Sequence, residues 1–148
     1  MLNLPVRAFA GAPRHPAARR SRALYAGLVV LTIALGLASR TSWSPLPTSL
    51  ATVPGDVLWA TMVFFALAAL WNGARTRALA WVTLAIAWGV EVSQLLSWEW
   101  LDALRATTPG RLALGSGFVW ADLLWYALGV GLGVAVDVAV RRRARRAR

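Results

Sequence analysis

Leu58-Trp59-Ala60-Thr61-Met62-Val63-Phe64-Phe65-Ala66-Leu67 runs for ten residues without a charge. A helix of a soluble bundle shows a polar stripe at a 3.6-residue period, and this stretch shows none. It reads as a helix that is apolar all round, which suits hydrocarbon on its outer face. The run extends over residues 57–70, opened by Pro54-Gly55-Asp56 and closed by Trp71-Asn72-Gly73. Three further apolar runs flank it, at 23–39, 78–97 and 119–140. Roughly 20 residues at about 1.5 Å each cross a hydrocarbon core of about 30 Å. The runs at 78–97 and 119–140 fit that length, and 23–39 needs a small extension. The central run borrows Gly55-Asp56 and Trp71, or thins the bilayer locally. The expected fold is all-α: a polytopic membrane protein with four transmembrane helices.

Composition agrees with that reading. The 148 residues are 58% hydrophobic and only 15% charged, where soluble domains carry about 25% charge. One domain is expected, over residues 23–140, between an Arg/Pro-rich disordered tail at 1–22 and a basic tail at 141–148. An arginine-rich start before an apolar run also resembles a signal peptide, but seventeen apolar residues exceed the usual core of about 7–15, so an uncleaved first span is expected. The chain has no cysteine, and His15 is its single histidine. Disulfides, thiol catalysis, histidine-cluster metal sites and a Ser–His–Asp triad are thereby excluded. No cofactor or metal is expected.

All 16 basic residues are arginine, against six acids. Four crossings place Arg7, Arg14, Arg19, Arg20, Arg22, Arg75, Arg77 and the six arginines from Arg141 to Arg148 on one side. Arg40, Arg105 and Arg111 are left on the other. The positive-inside rule then puts both termini in the cytoplasm of a bacterial inner membrane. The basic tail reads as a topogenic segment facing anionic lipid rather than a nucleic-acid arm, since no nucleic-acid motif accompanies it.

On the outer side, Trp98-Glu99-Trp100-Leu101-Asp102-Ala103-Leu104-Arg105 reads as a short amphipathic interfacial helix. Pro109-Gly110-Arg111 is expected to turn the chain back toward the fourth span. Glu91 lies within the third span, about seven residues or roughly 10 Å below its outer end. An unpaired carboxylate there costs on the order of 2–3 kcal/mol or more. Gln94 shares its face, as Tyr126 shares that of Asp122. Asp56 and Asp122 open the second and fourth spans, where an N-cap role competes with a functional one. Glu91 is also open to a structural reading, paired with an outer arginine. Asp137 is expected to pair with Arg141, four residues on, and Gly129, Gly131 and Gly133 to be close-packing positions. The candidate ligand-binding set is Arg40, Asp56, Glu91, Gln94, Asp102, Arg105, Arg111, Asp122 and Tyr126.

Glu91-Val92-Ser93-Gln94, Gly110-Arg111 and the string from Asp122 through Gly129 to Gly133 resemble the VanZ-like membrane proteins. Those carry a Glu-x-x-Gln pair in one span, an arginine in the following loop, and Asp-x3-Asn-x2-Gly-x3-Gly opening the next. Gly55-Asp56 corresponds to the start of that family's Asp-Lys-x-x-His motif. Val57 and Ala60 replace its lysine and histidine here, and Tyr126 its asparagine. Gly55-Asp56-x-Leu58-Trp59-Ala60, Leu101-Asp102-Ala103-x-Arg105-Ala106-Thr107 and Leu114-Gly115-x-Gly117-Phe118-x-Trp120-x-Asp122-Leu123 look closer still to an uncharacterised bacterial four-span family. VanZ is associated with resistance to the glycopeptide teicoplanin. With three motif positions changed, the resemblance implies a four-helix fold and an envelope context rather than that activity.

Two functions follow. In the first, an outer-leaflet polar pocket binds a lipid or lipid-linked headgroup, or a partner protein. Arg40, Arg105 and Arg111 contact an anionic group, oriented by Glu91, Gln94 and Asp122. In the second, an enzyme acts on an envelope lipid with Glu91 or Asp56 as general base. A transporter is a third option, but without an inverted repeat it requires a homo-oligomer to build a pathway.

Overall fold

The computed structural model describes residues 19–39, 53–96, 98–115 and 117–147. Arg40 and the tail residues before Arg19, His15 among them, lie outside these. The described residues form six α-helices and no strand: α1 Arg22–Ala38, α2 Val53–Leu70, α3 Thr76–Ser93, α4 Glu99–Ala106, α5 Thr108–Leu114 and α6 Trp120–Arg146.

Local sequence explains most of the boundaries. The Ser21 hydroxyl caps α1 by accepting from the Leu24 amide at 3.3 Å, which satisfies an N–H that the first turn leaves without a partner. In α2, Pro54 stands in the first turn, where its missing N–H costs nothing. Gly55 and Asp56 are therefore part of this 18-residue helix, whereas Trp71 is not. Thr107 caps α5 by accepting from the Gly110 amide, with Pro109 at the helix start. The segment between α3 and α6 thus holds two short helices rather than one, and Pro109-Gly110-Arg111 lies in the second of them instead of forming a turn.

The long helices pack up-and-down. α2 lies between α1 and α6, and α3 packs on both α2 and α6. α2 and α6 come close because of two glycines. A Cβ on Gly129 would stand 2.2 Å from the Val57 carbonyl oxygen, and one on Gly133 2.8 Å from the Phe64 ring. The Thr61 hydroxyl donates across this contact to the Gly129 carbonyl at 2.8 Å. Gly131 faces open space, so the close-packing role expected of it falls to its two neighbours alone.

Polarity is distributed inside out. Thr61, Thr83, Glu91 and Asp137 are buried, while Val30, Leu31, Trp81, Leu124 and Leu128 are exposed on the outer helix faces. Small residues and hydrogen-bonded hydroxyls at the contacts, with large apolar side chains outside, is the pattern of helices packed in lipid. α2 and α6 are long and apolar enough to cross a membrane. Only 33% and 28% of their most apolar windows are buried, unlike the core helices of a soluble protein. α1 is apolar but shorter, at 17 residues.

One end of the bundle is closed by a buried ion pair. Asp137 is fully buried. It accepts from Arg20 Nε at 2.7 Å, Arg20 Nη2 at 2.8 Å, Thr76 Oγ1 at 2.5 Å and the Tyr25 hydroxyl. The Arg20 guanidinium also donates to the Ala74 carbonyl at 2.7 Å, the Asn72 carbonyl at 3.4 Å and Thr76 Oγ1 at 3.1 Å. Burial works against the Arg20 charge, but the hydrogen bonds and field of Asp137 outweigh it and hold its pKa above the ordinary arginine value. Arg20 therefore displaces the expected partner of Asp137, Arg141. Arg141 stands at i,i+4 on the same helix, yet the bidentate Arg20 guanidinium saturates the buried carboxylate. This pair joins the start of α1, the α2–α3 turn and α6, so those three points share one end.

Candidate functional site

At the opposite end, the last turn of α3 meets the chain leading into α6. α3 stops at Ser93 with Gln94 as its C-cap, so Glu91 lies in a final turn and not 10 Å inside a longer helix. Packing, not depth along the helix, makes it fully buried. Glu91 Oε1 accepts the Val119 backbone N–H at 2.7 Å. Oε2 accepts from Gln94 Nε2 at 2.9 Å and, more weakly, from the Tyr126 hydroxyl at 3.3 Å. Gln94 extends the grip, its Oε1 accepting the Gly117 N–H at 2.7 Å. Its amide packs where a side chain on Gly115 would stand, and Gly115 has φ +70°. Glycine is required there twice, for backbone conformation and for space. The Glu91-x-x-Gln94 pair is thus a clamp on the backbone of the segment between α5 and α6. It takes the place of the arginine partner expected for Glu91 as a structural residue.

The clamped segment forms one wall of a polar cavity of about 440 Å³. Asp56, Gln94, Arg111, Asp122 and Tyr126 line it, together with Trp59 and Trp125. Five of the nine candidate residues therefore share one cavity. Glu91 stands directly behind it through Gln94 and Tyr126. Tyr126 is positioned further by Trp59, whose ring centroid lies 5.5 Å from its own. Asp56 and Asp122 are first-turn residues of α2 and α6, and neither is an N-cap: Val119 caps α6, and α2 begins at Val53.

The remaining candidates fall elsewhere. Arg105 donates to Ser93 Oγ at 3.1 Å, the Leu96 carbonyl at 3.4 Å and Asp102 at 3.5 Å. It fastens α4 to the end of α3 and does not line the cavity. Asp102 is exposed beside it on α4. Arg40 lies outside the described residues. Arg111 is thus the one described arginine on the cavity wall, facing carboxylates at Asp56 and Asp122. Among the described residues no group of three or more His, Cys, Asp or Glu side chains is placed to hold a metal ion.

Trp59, Trp125 and the backbone at Gly115 and at Gly117 also belong to the site, beyond the candidates read from the sequence. The Gly-x-Gly spacing was the signal for the last of these. Nothing in the local pattern marked two tryptophans among nine.

Residues 45–130, more than half the chain, match the model of a family described as protein of unknown function (DUF2809), and the chain belongs to that family. The match contains every described residue that lines the polar cavity. No solved structure matches the chain.

Proposed function

We propose that this DUF2809 chain is an integral protein of the bacterial inner membrane that holds the headgroup of a lipid or lipid-linked molecule in its polar cavity. α1, α2, α3 and α6 cross the membrane four times, with both termini in the cytoplasm and the cavity opening on the outer side. The observation that carries this reading is the cavity itself. Roughly 440 Å³ lined by Asp56, Gln94, Arg111, Asp122 and Tyr126 stands at the end of helices whose outer faces are apolar. Charged groups at such a level are costly unless they meet water, one another or a polar ligand.

Several features support the arrangement. The described arginines at 19–22, 75–77 and 141–146 belong to the end closed by Arg20 and Asp137, as the positive-inside rule asks of a cytoplasmic side. Anionic lipid is their partner there. The resemblance of the Glu91–Gln94, Arg111 and Asp122 motifs to VanZ-like proteins agrees with an envelope role. A polar segment of a partner protein is the other occupant the same cavity admits. A catalytic base at Glu91 is less well supported, because both its oxygens already accept hydrogen bonds from the protein.

The test is mass spectrometry of the full chain purified in mild detergent. A co-purifying lipid that is lost in Arg111→Ala and Asp122→Asn supports the reading. Equal lipid retention by those variants and wild type overturns it. A chemically altered lipid released by wild type alone favours an enzyme instead.

A further inference from the structure

The polar cavity has an apolar neighbour. A crevice of about 270 Å³ runs between α1, α2 and α5, lined by Ile33, Leu37, Leu58 and Met62 among others. Trp59, Leu112 and Ala113 line both spaces. Gly36 opens the α1 side, since a Cβ there would meet nothing closer than Leu58 Cβ at 3.9 Å. A polar space and an apolar one with a common wall fit one molecule with a polar and an apolar end.

The charges on the polar side narrow that molecule further. Arg111 and Asp122 both line the cavity, yet they are not paired with each other. Among the described residues neither side chain has a hydrogen bond or ion pair with another protein group. Opposite charges that share a cavity without meeting leave room for a ligand that carries both signs. A purely anionic headgroup would pair with Arg111 but face the Asp122 carboxylate. A purely cationic one would face Arg111.

We propose that the occupant is a zwitterionic amphiphile. Its hydrocarbon chain lies in the crevice, its phosphate on Arg111 and its ammonium on Asp122. This inference rests on the headgroup reading above and adds to it the chain, the charge pattern and the residues that read each.

The experiment is a binding titration of the full chain in a non-ionic detergent, followed by native mass spectrometry. Three probes are used: lysophosphatidylethanolamine, lysophosphatidylglycerol with the same chain, and soluble phosphoethanolamine. The ethanolamine lipid is expected to bind wild type about tenfold more tightly than the glycerol lipid, the size of one charge-assisted hydrogen bond. Asp122→Asn removes that preference, and Arg111→Gln weakens both lipids. Gly36→Phe fills the crevice and weakens both lipids while leaving phosphoethanolamine unchanged, with Gly36→Ala as the size control. Ile33→Trp is a second plug if Gly36→Phe is not recovered folded. Equal binding of the two lipids overturns the zwitterion but leaves the headgroup reading standing. Equal lipid binding by wild type and both plugged variants overturns the placement of the chain. If none of the probes binds wild type more tightly than it binds Arg111→Gln, the headgroup reading fails together with the inference.

Discussion

Glu91 and Val119 are joined across 28 residues by a 2.7 Å hydrogen bond from backbone amide to carboxylate. The fully buried acid of α3 thereby fixes where α6 begins. The same acid takes donors from Gln94 and Tyr126, so its removal strands three polar groups at once. Each buried group left unsatisfied costs about 1–3 kcal/mol. Glu91→Ala should therefore lower the stability of the detergent-purified protein by about 3 kcal/mol or more, and Gln94→Ala by about 1 kcal/mol. The direct readout is hydrogen exchange at the Val119 and Gly117 amides. Glu91→Ala should speed exchange at Val119, and Gln94→Ala at Gly117. Unchanged protection at both would show that something other than the Glu-x-x-Gln pair holds this segment.

Arg20 and Asp137 close the opposite end. Removing one partner of a buried pair leaves an uncompensated charge, at a cost of about 3–5 kcal/mol. Arg20→Ala and Asp137→Ala should each be severely destabilising, and the double variant less so than the sum of the two. Arg20→Lys should fail to rescue, because an ammonium cannot fill the fork of two acceptors and also reach the Ala74 carbonyl. Thermal unfolding of the four proteins completes the double-mutant cycle. Additive losses would mean that the pair contributes no coupling.

The two ends differ in how far the sequence discloses them. At the cavity end, Glu91, Gln94, Asp122 and Tyr126 are polar residues inside apolar runs, so periodicity alone sorts them onto shared helix faces. Asp56 and Arg111 follow from the order of the runs. Arg105 does not follow, because the choice between facing the cavity and fastening α4 to Ser93 depends on how a loop folds over the bundle. The Arg20–Asp137 pair was hidden for a different reason. Its members are 117 residues apart, whereas Arg141 offers Asp137 a partner at helical spacing. Local pattern favours the near pair, and packing of α1 against the α2–α3 turn selects the far one.

Gly129, Gly131 and Gly133 separate packing from propensity. A Cβ at Gly129 collides with backbone of α2, and one at Gly133 with the ring of fully buried Phe64. Neither neighbour can move without parting the helices. Gly129→Ala and Gly133→Ala should therefore each cost about 1–3 kcal/mol, the range of overpacked sites. Gly131→Ala meets nothing within 4 Å and should be neutral or stabilising by up to about 1 kcal/mol, through helix propensity alone. Unfolding midpoints of the three variants check this. A loss at position 131 equal to that at 129 would mean that α6 packs through a different face.

Topology can be read chemically because the chain contains no cysteine, so each introduced thiol is the only one present. Asp102 is exposed on α4 and Arg145 is exposed at the far end of α6. Moving an arginine into the bilayer costs about 2.5–3.5 kcal/mol, and the arginines from 141 to 146 would have to cross together if α6 were inverted. That penalty should fix the basic end in the cytoplasm. A membrane-impermeant maleimide applied to intact spheroplasts should label Asp102→Cys and leave Arg145→Cys unlabelled until the cells are permeabilised. The reverse pattern would place the cavity on the cytoplasmic side and remove the outer leaflet as its source of ligand. Labelling of both from outside would mean that α6 does not cross at all.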